Sequence, residues 1–359
     1  MILIPFYQIV YAKNFKYNMY KVSIIIPIYK TEAYIGACLD SIFEQECDIA
    51  EIECLLVNDC TPDKSMEIVE QKIKEYKGNI IFKILNHSEN QGLSLARNTG
   101  MRASSGDYIL HVDSDDMLKP GTIKIYLESI GEKKDIDIIM GDRITTYNHK
   151  TYLNLNAQKP ILLDNSDESV LRKLLRKDIY HNSWNKLVRR DFIIDNELYF
   201  EKGLISEDLL WSYLIFHQAK RIMIIPQVTY IYRNDNPLSI TNTYSSRNYQ
   251  IICSRITTST IILKHPPQRI CPEYFAYIYY ILAQAVNRFE DNKQDFGELK
   301  TDLYNIRDLF LKKVWEHNYY LEYFLFLSLK KPFYKVFHFR FFRIHFDQIV
   351  KRFVTMSSY

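Results

Sequence analysis

No excess of either charge marks this 359-residue chain: 46 Lys and Arg stand against 43 Asp and Glu, and a net charge of +3 is too small to imply nucleic-acid binding. None of the six cysteines (Cys38, Cys47, Cys54, Cys60, Cys253, Cys271) stands in a C-x-x-C pair or has histidines at zinc spacing. That excludes a small zinc module and a disulfide scaffold, and leaves reduced thiols in a reducing compartment as the reading. Long apolar runs are missing as well. The opening MILIPFYQIVYA is about a dozen residues, too short to span a bilayer, and has neither a basic start nor a small-residue cleavage site. Residues 1–18 therefore read as an N-terminal extension, and a start at Met19, just before the first strong strand, stays open beside one at Met1. There is no internal repeat and no low-complexity linker. A hydrophobic fraction of 47% is what remains, the composition of a folded soluble protein with material for a sizeable core.

From Val22 to Gly141 short apolar runs alternate with helical periodicity, the pattern of a mostly parallel α/β sheet with helices on both faces. Strands are predicted over 22–29, 52–58, 80–85, 107–113 and 136–141, and helices over 34–44, 64–76, 93–103 and 119–130. In an open sheet of this kind ligands bind beyond the carboxyl ends of the strands, so the residues just after each strand matter first. A less regular stretch, 142–235, reads as the other half of a cleft, with a helix near 168–177, the segment HNSWNKLVRRDF (181–192) and a helix beginning at SEDLLW. The remainder, 236–359, is mainly helical by pattern.

The polar residues at the strand ends carry the chemistry. HVDSDD (111–116) delivers Asp113, Ser114, Asp115 and Asp116 into one short loop, and carboxylates so close repel unless a cation offsets them. All-oxygen ligation suits magnesium or manganese, though an isolated D-x-D is more often a solvated turn. VNDCTPD (57–63) sets Asp59 where it can meet a nucleobase N–H, with Asp63 as a helix cap. IPIYKTE (26–32) holds Pro27, expected to break the ladder, then Tyr29 and Glu32. HSENQGLSLARNTG (87–100) puts Arg97 about one turn into a helix, where it can pair with a diphosphate or with the acidic loop. Further on, Glu207 and Asp208 open a helix and can serve either the helix dipole or general-base catalysis. Arg233 and Ser239 lie in YIYRNDNPLSIT (230–241), a loop able to fold over a diphosphate.

Taken in order, SIIIPIY, NDCTPD, NQGLSLARNTG, DYILHVDSDD, SWNKLVRRDF, SEDLLW and YIYRNDNPLSIT resemble the family 2 glycosyltransferases of the GT-A fold, over residues 22 to 241. The resemblance implies an inverting, metal-dependent transfer of a sugar from a nucleotide diphosphate sugar, UDP-linked by preference, to a hydroxyl acceptor. It implies that Asp59 binds the base, that Asp113 lies near the ribose, that Asp115 holds Mn2+ or Mg2+, that Arg97 serves the diphosphate and that Asp208 is the base. Pro27, Tyr29, Glu32, Ser114, Arg233 and Ser239 complete the expected donor site, with Glu207 beside the base. Two departures stand out: Cys60 replaces a glycine common after the base-binding aspartate, and Ser206 one often found before the acidic pair.

A nicotinamide-dependent dehydrogenase would need G-x-G-x-x-G after the first strand, and IPIYKTEAYIG lacks it. A catalytically inactive scaffold at a membrane surface is the non-enzymatic rival. The tail 330–354 interleaves Phe and Tyr with Lys and Arg, and reads either as an interfacial segment at an anionic cytosolic leaflet, near a saccharide or lipid-linked acceptor, or as aromatics packed on the catalytic domain.

Overall fold

The computed structural model describes residues 9–10, 22–45, 50–131, 133, 135–146, 151–152, 158–165, 169–176, 178–236, 248–291 and 298–319. Two compact units divide the chain, residues 1–243 and 244–359. Ser239 and the basic aromatic tail lie outside the described residues.

In the first unit the order is β1 (Ile9–Val10), β2 (Val22–Ile28), α1 (Ile35–Phe43), β3 (Ile52–Asn58), α2 (Ser65–Glu75), β4 (Ile81–Asn86), α3 (Leu93–Ala103), β5 (Tyr108–His111), β6 (Met117–Leu118), α4 (Thr122–Ile130) and β7 (Ile138–Thr145). The predicted alternation is present, with ends shifted by a few residues. Beyond it come β8 (Thr151–Tyr152), β9 (Ile161–Asp164), α5 (Ser169–Leu175), β10 (Lys186–Arg189), α6 (Arg190–Asp195), α7 (Asp208–Gln218) and β11 (Arg221–Tyr232). All eleven strands share one sheet in the order β1-β4-β3-β2-β5-β10-β7-β11-β6, with β8 added on β7 and β9 on β11. β4, β3, β2 and β5 are mutually parallel. β10 is antiparallel to both its neighbours, β5 and β7. The stretch read as irregular thus supplies an inner strand and the longest one, β11, which bulges between Ile224 and Val228 around Pro226.

Alternation along β2 explains the layering. Val22, Ile24, Ile26 and Ile28 join a core with Cys38, Leu39 and Ile42 of α1, Val69 and Ile73 of α2, and Ile123 and Tyr126 of α4. Ile25 points to the opposite face, where α3 approaches so closely that a Cβ on Gly100 would stand 2.3 Å from Ile25 Cγ2. Pro27 breaks the ladder on one side only. The strand pairs with β3 straight through Pro27↔Val57, while pairing with β5 stops at Ile25↔His111. Main-chain groups two residues apart point the same way, so the N–H that Pro27 lacks would have faced β5, beyond the last paired residue. Pairing of β2 with β5 closes with the Val112 N–H on the Ile25 carbonyl at 3.0 Å, and the acidic loop starts there.

The second unit contains α8 (Asn248–Lys264), α9 (Pro272–Asp291) and α10 (Glu298–Glu316). Ile251, Ile252, Ile262, Phe275, Ile278, Leu282, Leu303, Phe310 and Val314 are its buried residues of note, and Tyr274 Oη closes α9 onto α8 by donating to the Ile262 carbonyl at 3.1 Å. Among the described residues no helix is long and apolar enough to cross a membrane.

Candidate active site

The acidic loop leaves β5 at His111, and each of its carboxylates has a different environment. Asp113 accepts from Arg97 Nη2 at 2.6 Å, and its own N–H donates to the Tyr230 hydroxyl at 3.2 Å. Asp116 is buried, accepting from Tyr230 Oη at 2.8 Å and from the Arg233 N–H at 2.7 Å. Asp115 accepts from Asn236 Nδ2 at 2.8 Å, while its carbonyl takes the Arg233 Nε–H at 3.0 Å. Ser114 is buried in the turn between them. Burial, with the Asp113 charge added, raises the Asp115 carboxyl above its usual range. Burial and the charges of Asp115 and Asp113 raise that of Asp116 further. Tyr230 and Asn236 lie inside YIYRNDNPLSIT, but nothing in that motif marks them as partners of residues more than a hundred positions away.

Arg97 is the hub. It is 1% exposed and pairs through Nη2 with Asp113 and through Nη1 with Glu207, with its guanidinium carbon 5.2 Å from the Phe200 ring. The acidic loop is one of the two partners that the sequence allows for Arg97. Burial opposes its charge, but Asp113 and Glu207 outweigh that and hold it firmly cationic. Glu207 is buried, and burial raises its carboxyl to about 7 against the pull of Arg97. Asp208, the first residue of α7, is half-exposed beside it. Beneath this group His111 is buried with rings of Phe200 and Trp211 edge-on at 5.4 and 5.7 Å. Burial, and then Arg97, push its imidazole well below the ordinary value, so it stands neutral.

The residues expected to meet a nucleotide cluster around the ends of β2 and β3. Asp63 behaves as the predicted cap, accepting from the Ser65 N–H at 3.2 Å and from Ser65 Oγ at 2.6 Å. Glu32 is drawn into the same cap: its carboxylate accepts from the Lys64 N–H while its own N–H donates to Asp63, both at 3.0 Å. Tyr29 projects outward, 39% exposed. Asp59 is buried and accepts from His87, Asn90 and the N–H groups of Gln91 and Gly92. Both departures from the family pattern fall at left-handed backbone, Cys60 at φ +55° and Ser206 at φ +59°. Glycine is common there because the turn demands it.

Across the sheet, Lys186 and Trp184 lie within SWNKLVRRDF, and Arg143 lies in none of the sequence motifs. Lys186 is buried, with Nζ donating to the Asn182 carbonyl and, at 2.8 Å, to Asn182 Oδ1. Burial lowers its ammonium to about 7 although Asp208 pulls it upward. Trp184 stacks on Tyr230 at 4.3 Å and on Tyr232 at 5.3 Å. Arg143 sits 4.8, 4.9 and 5.4 Å from the rings of Tyr180, Trp184 and Tyr232. This aromatic wall adjoins the acidic loop through the Tyr230 hydroxyl.

Among the described residues no three side chains converge as a preformed metal cage. Asp116 is turned inward and Asp113 is shared with Arg97, which leaves Asp115, with Asp113 beside it, as the carboxylates able to meet a cation. One or two carboxylates completed by phosphate oxygens is how magnesium and manganese bind in nucleotide sites, so the residues fit such an ion while holding it weakly alone.

A mixed sheet with a parallel core β4-β3-β2-β5 and an acidic loop at its switch point, facing a helix that starts with Glu207 and Asp208, is the architecture of the GT-A fold. Residues 23–195 match the profile of Glycosyl transferase family 2, and this stretch is a family 2 glycosyltransferase domain. The Bacillus subtilis (strain 168) protein described as "Uncharacterized glycosyltransferase EpsJ" is 33% identical over 224 residues, covering 61% of this chain and 62% of that protein. The Staphylococcus aureus (strain MW2) poly(ribitol-phosphate) β-N-acetylglucosaminyltransferase TarS is 29% identical over 216 residues, 60% of this chain and 35% of that one. The chain spans about three fifths of the length of EpsJ and of its B. subtilis companion EpsH. In structure, S. aureus TarS 1–349 in complex with UDP-GlcNAc superposes with a TM-score of 0.63 at 21% identity, covering 81% of each chain, which establishes the shared fold.

Cys60→Gly and Ser206→Gly are each expected to raise unfolding free energy by about 1 kcal/mol, the cost of a left-handed non-glycine residue. Urea titration of the two variants measures this, and a fall in the midpoint for either contradicts it. A second expectation follows from the raised carboxyls. A folded value above the unfolded one contributes stability present below the unfolded pKa, near 4, and lost as pH rises through the folded value, about 7 for Glu207. A cation competes with those protons, so the rise in melting temperature on adding Mn2+ is expected to be larger at pH 7.5 than at pH 5. A shift that does not grow with pH removes these carboxylates from the metal's surroundings.

Proposed function

We propose that this chain transfers a sugar from a nucleotide diphosphate sugar, UDP-linked, to a hydroxyl acceptor with inversion, in the making of a cell-surface polysaccharide or glycolipid. The carrying observation is the pair of ion contacts by which Arg97 ties Asp113 of the acidic loop to Glu207, next to Asp208. The family 2 domain and the activity of relatives such as TarS support the donor class and the setting.

Chemically, the residues divide the work. Asp208, half-exposed at the start of α7, takes the proton of the acceptor hydroxyl. The freed oxygen attacks the anomeric carbon while the bond to the diphosphate breaks on the opposite face, the diphosphate leaving with the electron pair. Glu207 is the poorer base because it is buried and engaged by Arg97; its role is to hold the helix start against the loop. Arg233 lies at the loop's outer side, with Tyr34 5.1 Å from its guanidinium, and supplies positive charge to the diphosphate. Tyr29 offers an exposed ring to the base. Held by Asp115 with Asp113, a divalent cation would add Lewis-acid charge at the diphosphate.

The working surface for the enzyme is proposed to be the cytosolic face of a membrane, reached through the basic, aromatic segment 330–354. Sedimentation with anionic liposomes at low salt tests this: the full chain should pellet, and a chain ending at Leu329 should stay in solution while keeping donor hydrolysis. Failure of the full chain to pellet, or unfolding of the shortened one, makes the segment part of the core instead.

For the chemistry, Asp208→Asn is expected to cut transfer by about 10²–10⁴-fold with donor affinity nearly unchanged. Asp115→Ala should instead weaken metal-dependent donor binding. Metal-dependent release of free nucleotide from a panel of nucleotide sugars provides the assay. No release by the unaltered chain would favour an inactive scaffold, and loss of turnover in Glu207→Gln but not Asp208→Asn would move the base by one residue.

A further inference from the structure

Lys186 is a buried ammonium with neutral partners. It opens β10 with 0% of its surface exposed. Nζ donates to the Asn182 carbonyl and, at 2.8 Å, to Asn182 Oδ1. An ammonium carries three donors, so one N–H is left over, and among the described residues no carboxylate is in ion-pair contact with it. A buried charge without a counter-ion in contact is costly, and such groups gather at sites that use the charge.

Asn182 aims the ammonium. Its Nδ2 donates to the Trp184 carbonyl at 2.9 Å, closing the turn that leads into β10, and Ser212 Oγ of α7 reaches the same Asn182 carbonyl at 3.5 Å. Ser212 lies about one helical turn after Asp208, so the lysine is anchored beside the first turn of α7. Burial lowers the Lys186 ammonium to about 7, Asp208 pulls it upward and Arg143 on β7 pushes it down. On the adjacent strand β5 the titratable group is His111, which stands neutral. Asp208 in turn has Glu207 beside it and Arg97 of α3 nearby, but that guanidinium is already shared between Asp113 and Glu207.

We infer that Lys186 is a positioning residue that acts through Asp208: its fixed ammonium offsets the negative charge crowded at the start of α7 and keeps Asp208 ionised, ready for the acceptor proton. That Asp208 is the base rests on the proposed function; the coupling of the two residues does not. Lys186 loses its own proton as pH rises through about 7, so its support for Asp208 is present below that value and fades above it.

Initial rates of UDP release from UDP-GlcNAc, UDP-glucose and UDP-galactose test this, with water as acceptor and saturating Mn2+. The unaltered chain is compared across pH with Lys186→Met, which keeps the length of the side chain and removes its charge. Lys186→Met is expected to lose about tenfold at about pH 6 and less than about twofold at about pH 8.5, with KM for the donor unchanged. A gap of the same size at every pH is what lost packing produces, and it overturns the inference. A second measurement needs no substrate. NMR titration of isotope-labelled lysine side chains follows the Lys186 ammonium, set apart from the other lysines by titrating at about 7. In Asp208→Asn it should lose its proton at a lower pH than in the unaltered chain. An unchanged titration overturns the inference, and this measurement decides the matter if Lys186→Met does not fold. Should the unaltered chain release no UDP while the lysine titration still shifts, the glycosyltransferase reading falls, and with it the base that Lys186 serves, while the charge coupling stands.

Discussion

One cation is shared by two carboxylates on separate elements, and the site depends on it. Arg97 is nearly sealed from solvent and brings a loop from the sheet's middle into register with the start of a helix 110 residues further on. A guanidinium suits the task because its planar fork can serve two acceptors at once and never loses its proton. Removing Arg97 would leave the buried Glu207 carboxylate without its cation, the kind of change that costs about 3–5 kcal/mol. The acidic loop and α7 are therefore held as a unit, whatever ligand later joins them.

Around that cation the charges do not cancel. Asp113, Asp115, Asp116, Glu207 and Asp208 face Arg97, Arg233 and Lys186, and burial has pushed several of them toward neutrality: carboxyls upward, the lysine downward. An apolar floor of His111, Phe200 and Trp211 adds to the desolvation. A ligand that carries positive charge would offset the excess of carboxylates here.

Much of the first half was legible because its strands are short, almost wholly apolar runs separated by helical periodicity, and Val22–Ile28 and Ile52–Asn58 announce themselves. Residues after those strands were picked out for the same reason: in an open sheet, position along the chain nearly dictates position at the edge. β10 and β11 were not legible. Lys186 in the one and Pro226 in the other contradict the usual strand pattern, and only tertiary contact, a buried ammonium capped by Asn182 and a bulge, resolves the contradiction. Partnerships were harder still. What Asp59 pairs with depends on donors 28 to 33 residues away, and that Glu207 meets Arg97 depends on one 110 away; neither distance leaves a local signature.

The antiparallel placement of β10 between β5 and β7 also sets an order of events. When the ribosome has delivered residues 22–111, β2 to β5 can already pair, but β5 presents an open edge until Lys186–Arg189 has been made. At roughly 5–20 residues per second that wait lasts several seconds, with a row of unpaired main-chain groups and the apolar side chains of Ile109 and Leu110 exposed to other nascent chains. Overexpression would act on this interval before it acted on the finished fold, so the yield of soluble protein should follow translation speed and chaperone supply more closely than it follows the stability of the folded state.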